Sequence, residues 1–297
     1  MASALAFLTR TWPGLPGRWR LVRWLERHPE ALAALPLKTV RFGRNLRICV
    51  DPADENGRHV YIHGLDWKER LTRHFVRLLR PGDCVLDVGA NLGYFSLVAA
   101  ELVGPAGCVH AFEPAPQVLP LLQENARLNP QANLQVHGVA VSDCCGQTRF
   151  FAAPRGRSGY SSIRDLGAET SVISTVPTIT LDALLPQLPP VRLVKIDVEG
   201  AELRVLRGMR QLIDRDRPFL IVEVDDGFLR QLGADASRLC AFLTQAGYKL
   251  HRIVARGELQ PLAGPPTDRC NLLAGPTSPV APPPTAGGQV ELQPAPA

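Results

Sequence analysis

Residues 85–95, VLDVGANLGYF, decide the fold. The aliphatic run up to Val88 reads as a buried strand, Gly89 and Gly93 as a tight turn, and YFSLVAAELVG from Tyr94 as a helix. A strand that turns sharply into a helix aims backbone N–H groups beyond its carboxyl end, so Gly89, Ala90, Asn91 and Gly93 are expected to face a small-molecule pocket. The same alternation continues through strand-like CVHAFEP, helical QVLPLLQENARLN closed by Asn129-Pro130, and LQVHGVAVSD. It resumes with LVKID, a helix from about Ala201, FLIVEVD, helical ASRLCAFLTQAG, YKLHRIV and a short apolar NLLA. Successive βα units predict an α/β, Rossmann-like, doubly wound and mostly parallel sheet with helices on both faces.

Two further strand candidates, TRFFAA and STVPTITL, flank the polar, glycine-rich PRGRSGYSSIRDLGAETS, which reads as a long loop over the sheet. Upstream, DWKERLTRHFVRLLR places Leu71, Phe75, Leu78 and Leu79 on one helical face, and Pro81-Gly82 stops it. Three regions follow: a basic N-terminal helical extension (1–40), an α/β body (41–274) and a proline-rich tail (275–297). The tail holds seven of the 27 prolines and almost no large apolar side chains, so it is expected to be disordered.

With 297 residues, 45% of them hydrophobic, the chain can bury a substantial core. No apolar stretch approaches the ~20 residues of a spanning helix. Seven cysteines, an odd number with no C-x-x-C pair and mostly inside apolar runs, fit free thiols in a reducing, cytoplasmic setting. The adjacent Cys144 and Cys145 have no companion ligands in sequence. Residues 1–48 hold nine Lys and Arg against two Glu, so the stated net charge of +5 leaves about −2 for the remainder. The body is therefore not a polyanion binder by charge, and no nucleic-acid partner is expected. GRWRLVRWLERHPEALAAL reads as a helix packed on the body, with weak contact to an anionic membrane surface as a further possibility.

The turn also selects a cofactor. Dinucleotide binders carry G-x-G-x-x-G, whereas here the spacing is D-x-G-x-x-x-G with Asp87 in the turn itself. A carboxylate beside a pyrophosphate repels it, by several kcal/mol, roughly, at partly buried dielectric. The same carboxylate favours a ligand bearing an ammonium and a sulfonium, which S-adenosyl-L-methionine has. Glu113, ending the next strand in HAFEP, is placed to accept from both ribose hydroxyls. VHGVAVSDCCG would bring Val141, Ser142 and Asp143 near the adenine, or form a turn capped by Asp143.

These residues resemble the FkbM family of S-adenosylmethionine-dependent methyltransferases over roughly residues 41–274. The resemblance rests on LDVGANLGYFSLVAA, FEPAPQVLPLLQENARLN, GYSSI, ITLDALL, VKIDVEGAELRVLRGM, FLIVEVD and NLLA. The upstream RICVDPADENGRHVYIHG is also similar, although GLDWKER departs from the family's tighter spacing before the acid at Glu69. The resemblance implies a class I methyltransferase sheet of seven strands whose last-inserted strand is antiparallel, and O-methylation of a hydroxyl on a glycan or natural product.

Methyl transfer to an alcohol needs the acceptor oxygen in line with the donor and a base to take its proton. Asp197 ends the predicted central strand and is the first candidate for base or orienting acid, with Glu199 second. Glu223, inside apolar FLIVEVD, is the third, because a carboxylate there is costly unless paired or functional. Glu199 and Glu202 are expected at the start of the next helix, where negative charge opposes the amide dipole. Lys195 would neutralise these acids. Asp197, Glu199 and Glu223 could together hold a divalent cation, but no ligand spacing marks them, and no metal is expected. Arg155, Arg157, Ser161 and Ser162 in the long loop are candidates for acceptor contacts, and His63 is a further possible base. Against O-methylation stand amide N-methylation of a peptide and a non-catalytic S-adenosylmethionine-binding scaffold.

Overall fold

The computed structural model describes Ala6 and residues 16–64, 69–170 and 172–277. Most of the expected tail, Leu65–Lys68 and the first residues of the extension lie outside the described residues, and the side chain of Glu69 does too. Among the described residues thirteen strands form three sheets. An antiparallel hairpin pairs β1 (Lys38–Phe42) with β2 (Leu46–Val50). The central sheet contains β3 (Cys84–Val88), β4 (Cys108–Phe112) and β5 (Leu134–His137). A small sheet collects β6 (Ala140–Val141), β7 (Gly146–Ala152) and β8 (Val172–Ile179). Then β9 (Val191–Ile196), β10 (Phe219–Val224), β11 (Tyr248–Ile253), β12 (Leu259–Pro261) and β13 (Cys270–Pro276) complete the central sheet.

That sheet has eight strands in the order β12-β11-β13-β10-β9-β3-β4-β5. Strands β10, β9, β3, β4 and β5 run parallel, and β13 is inserted antiparallel between β10 and β11. This is the class I methyltransferase arrangement the resemblance implies, with the short β12 added antiparallel at one edge. Strand order reverses between β3 and β9, and a crevice must open there, beyond the carboxyl ends, because the following helices leave toward opposite faces.

Apolar patterning explains the layers. In the helix Tyr94–Val103 every residue but Glu101 is buried, as expected of a helix wedged between the central sheet and the elements around it. One core cluster packs Phe75, Leu97 and Ile48 on one face of the sheet, and a second packs Leu86, Ile196 and Leu206 on the other. The N-terminal extension joins the first cluster through the fully buried Leu25 and Leu32, while Trp19 is exposed. The expected boundaries at 40/41 and 274/275 both cut through strands. Lys38 already pairs with Val50, and Gly275 and Pro276 pair with Lys249 and Tyr248.

LQVHGVAVSD is one apolar run but two strands. After His137 the chain leaves the central sheet and β6 pairs with β8 instead. Gly138 allows this crossing close to a helix, since a Cβ there would stand 2.6 Å from Leu119 Cδ2.

A buried amide ties these pieces at the crevice. Asn125, fully buried, accepts from Cys49 N at 2.6 Å and donates to Cys49 O at 3.0 Å and Leu92 O at 2.7 Å. It thereby joins the hairpin, the helix Leu119–Arg127 and the glycine turn. Asn125→Ala leaves an N–H and two carbonyls without partners, and unfolding by urea should show a loss of about 3 kcal/mol or more, at ~1–3 kcal/mol per orphaned group.

Candidate active site

A cavity of about 440 Å³ opens at the switch point, within the size range of small-molecule sites. Gly89–Leu92 and Glu113 form one wall, Val139–Val141 a second, and the loop Ser158–Ile163 a third. Lys195, Asp197, Glu199, Glu223 and Arg269 supply the charged end.

The turn is tight because a glycine sits where two strand ends meet. Gly89 has φ 78°, and a Cβ there would lie 1.8 Å from the Asp197 carbonyl oxygen. Its N–H groups are not free to grip an anion. Gly89 N and Ala90 N both donate to Phe112 O at 3.0 Å, Gly93 N donates to Ala90 O at 2.9 Å, and Asn91 N donates to Glu113 Oε2 at 2.8 Å. The expectation that these four N–H groups face a ligand is therefore corrected, since the turn spends them on itself. A phosphate nest needs such donors unpaired, so the turn is poorly built for a pyrophosphate.

Glu113 lines the cavity, its other oxygen accepting from Ala115 N at 2.9 Å. Burial pushes its carboxyl up to about 7 despite these two backbone donors.

Asp87 is fully buried and does not line the cavity, which corrects its placement against the ligand. Ser96 Oγ donates to its Oδ2 at 2.6 Å, and Lys195 Nζ lies 3.4 Å from its Oδ1. The same ammonium lies 3.4 Å from Asp197 Oδ2 and donates to Gly89 O at 3.2 Å. Burial opposes the charge of Lys195, but Asp197, Asp87 and Glu223 together hold its pKa well above the ordinary lysine range. Asp87 thus acts through Lys195.

Across the crevice Arg269, just ahead of β13, donates to Glu199 Oε1 at 2.7 Å and Glu223 Oε2 at 2.5 Å. Burial first, then the charge of Asp197, push Glu199 up to about 8 against the pull of Arg269. Its Oε2 is buried and has no hydrogen-bond partner among the described residues. Asp197, Glu199 and Glu223 do converge, with carboxylate oxygens within 4.8 Å of one another, and the side chains balancing them are Lys195 and Arg269.

Residues 87–250 match the Methyltransferase FkbM domain. The 31-O-demethyl-FK506 methyltransferase FkbM of Streptomyces tacrolimicus is 36% identical over 188 residues, which cover 52% of this chain and 69% of that protein. This chain belongs to the FkbM family of methyltransferases. The hexuronic acid methyltransferase AglP of Haloferax volcanii is 28% identical over 210 residues, covering 70% of this chain and 82% of that protein. A solved FkbM methyltransferase from Methylobacillus flagellatus superimposes with a TM-score of 0.42 at 16% identity, spanning 68% of this chain and half of that one, 50%. By its family the chain is a methyltransferase, its own strand order is the class I sheet, and no helix among the described residues is long and apolar enough to cross a membrane.

Several expected FkbM site residues lie elsewhere. Ser142 and Asp143 stand outside the cavity because the crossing into the small sheet puts Val139–Val141 at its wall instead. A Cβ on Gly208 would stand 2.0 Å from the Ser142 carbonyl, which marks how closely that segment packs against the far helix. Arg155 and Arg157 are exposed and off the cavity, the Arg157 guanidinium stacking 4.6 Å over Tyr160. Ser161 and Ser162 do line it, and Ser162 Oγ donates to Glu199 O at 3.0 Å. His63 faces Glu26, at 3.0 Å, and the cavity is lined by His59, one helical turn earlier. Glu55, Asn56 and His59 on the helix Glu55–His63 lie within the family-like RICVDPADENGRHVYIHG but nothing there singles them out, and Arg269, which only the antiparallel insertion of β13 brings beside β10, carries no sequence signal.

Glu199 and Glu202 also part ways. The helix starts at Glu202, and Glu199 sits ahead of it in the turn at φ 53°. Glu202 Oε1 accepts from Val198 N at 3.2 Å and Gly200 N at 3.0 Å, fixing that turn, and burial pushes its carboxyl up to about 7 against those donors. An unfolded glutamate titrates near ~4.3, so the folded chain holds this proton more tightly. The resulting stability is complete below ~4.3 and is lost as pH rises through about 7. Glu202→Gln has no such proton, so the stability of the natural chain relative to the variant should fall between these pH values. Urea unfolding at a series of pH values measures it, and a flat difference would refute the burial effect.

Proposed function

We propose that the chain moves a methyl group from S-adenosyl-L-methionine to a hydroxyl of a glycan or other small polar acceptor, with Glu199 taking the hydroxyl proton. The observation that carries this is the buried, unpartnered Glu199 Oε2 at the cavity's charged end, on a carboxyl pushed up to about 8. A general base works best with a pKa near the working pH.

The residues present fit the methyl donor. Five carboxyl groups, on Asp87, Asp197, Glu199, Glu223 and Glu113, stand around two cations, Lys195 and Arg269. Burial first, with neighbouring carboxylates adding to it, holds protons on Glu113 to about 7 and on Glu199 to about 8, and a cation beside them would favour their charged forms. Glu113, Asp197 and the wall Val139–Val141 would hold the donor, which supplies an electrophilic methyl on a positively charged sulfur. The internally paired turn argues against a dinucleotide.

The remaining steps belong to the chain's own side chains. Lys195 holds Asp197 in place, its Nζ 3.4 Å from Asp197 Oδ2, so Asp197 can orient an acceptor hydroxyl by accepting from it. Arg269 clamps one oxygen of Glu199 and leaves the other to receive the proton. The loop Ser158–Ile163 covers the cavity and limits water, with Tyr160, Ser161 and His59 placed for acceptor contacts. The two relatives, one a methyltransferase of an O-demethyl compound and the other of a hexuronic acid, support an oxygen acceptor on a small polar molecule.

Uronate-containing oligosaccharides are the first acceptors to test, read by mass spectrometry for the gain of one CH₂. Glu199→Gln should lower kcat by about 100-fold or more while calorimetric binding of S-adenosylmethionine persists. In the natural chain kcat/KM should climb with pH through about 8, because Glu199 must be deprotonated to act, and that limb should vanish in the variant. Full turnover by Glu199→Gln would exclude Glu199 as the base.

A further inference from the structure

Cys84 opens β3 and Cys108 opens β4, and they stand directly opposite each other in the parallel ladder. His110, two residues along β4, projects from the same face of the sheet as Cys108 because strand side chains alternate. Both sulfurs and one ring nitrogen of His110 lie within 4.8 Å of one another. Cys84 and His110 are buried and Cys108 is partly open to solvent. None of the three lines the cavity, which lies beyond the opposite, carboxyl ends of the same strands.

We infer that Cys84, Cys108 and His110 form a binding site for one thiophilic divalent cation of the zinc type, with a fourth position open on the solvent side of Cys108. Two thiolates and an imidazole are the donor set such an ion prefers over hard cations. Tetrahedral coordination at ~2.3 Å from sulfur separates two sulfurs by about 3.8 Å, so small rotations of these side chains close the site.

The surroundings favour ligation over a simple sulfur pair. His137 on β5 holds the His110 ring, with Nε2 3.0 Å from His110 Nδ1 and the two rings stacked 5.3 Å apart. A metal-binding imidazole commonly has its orientation fixed this way by an outer partner. On binding, two metal–sulfur bonds and one metal–nitrogen bond form, the two S–H bonds break, and the thiol protons pass to solvent. A disulfide would use the two sulfurs and leave the converging imidazole without a task.

Such an ion would cross-link β3 to β4, the two strands whose carboxyl ends carry the glycine turn and Glu113. It would bind the folded chain only and so raise its melting temperature. The test uses the reduced, chelator-treated full chain carrying Cys144→Ser and Cys145→Ser, which removes the exposed thiol pair. Anaerobic titration with cobalt(II) should give a thiolate-to-cobalt charge-transfer band saturating at one equivalent, displaced by zinc, and zinc should raise the melting temperature. Cys108→Ser should abolish the band, and His110→Gln should weaken cobalt binding at least ~10-fold. Carboxylate ligation at Asp197, Glu199 and Glu223 gives no such band, so it is told apart. Should Cys84→Ser fail to fold, the partly exposed Cys108→Ser still decides. No charge-transfer band in the folded chain, a band that survives Cys108→Ser, or a Cys84–Cys108 disulfide found by peptide mass spectrometry of the chain as isolated would each overturn the site.

Discussion

The active-site end of this molecule hangs on one buried ammonium. Lys195, the penultimate residue of β9, is 3% exposed, and its Nζ sits between Asp87 of β3 and Asp197 just past β9 while also donating to the Gly89 carbonyl. A lysine so buried is tolerated only with compensating charge, and the loss of one partner from a buried pair typically costs ~3–5 kcal/mol. The three groups bind the carboxyl ends of the two central strands to the glycine turn. Three parts of the crevice take their position from that knot: the turn, the Asp197 carboxylate and, two residues farther, the bend that carries Glu199.

The knot also changes what the acids mean. Asp87 standing alone in front of a turn would act as a negative charge offered to a ligand. Paired with Lys195 and with Ser96, it becomes the anchor of a cation that steers Asp197. The negative excess that a sulfonium would meet lies farther out, on Glu199 and Glu113, where burial keeps protons on carboxyl groups well above their usual range. The turn's N–H groups are spent on Phe112 O, Ala90 O and Glu113, so the proposed preference for a cationic over a phosphorylated ligand rests on two features together, absent donors and surplus acids.

Much of this was readable in the chain. Alternation of apolar strands with amphipathic helices gave the doubly wound sheet, because burial on both faces imposes it, and the carboxyl-end acids Glu113, Asp197 and Glu199 reached the cavity because strand ends at a switch point must face it. What stayed hidden depends on contacts distant in sequence. Arg269 belongs to a strand inserted out of order, and His59 differs from His63 only by which side of one helix meets the sheet. Ser142 and Asp143 were misplaced because the apolar run through Val141 carries no mark of the change of sheet between His137 and Ala140. Arg155 and Arg157 were drawn in by charge alone, whereas the loop turns its serines inward.

The three acids of KIDVEGAE resolve into three distinct roles because the backbone between them is bent out of its easy conformations. Glu199 lies at φ 53°, a left-handed value that a residue with a Cβ adopts at a cost of about 1–3 kcal/mol, and Gly200 follows at φ 109°. A Cβ on Gly200 would stand 2.8 Å from the Phe228 carbonyl, so the bend is pressed against the helix Asp226–Gln231 that follows β10. Glu202 reaches back to Val198 N and Gly200 N and holds the bend from one side, while Ser162 donates to the Glu199 carbonyl from the other. Had Glu199 continued into the helix, its carboxyl would have followed the helix surface and its charge would only have opposed the dipole. The strained bend instead turns it toward Arg269 and the cavity, and Glu202 and Ser162, each hydrogen-bonded to the backbone of that bend, keep it there.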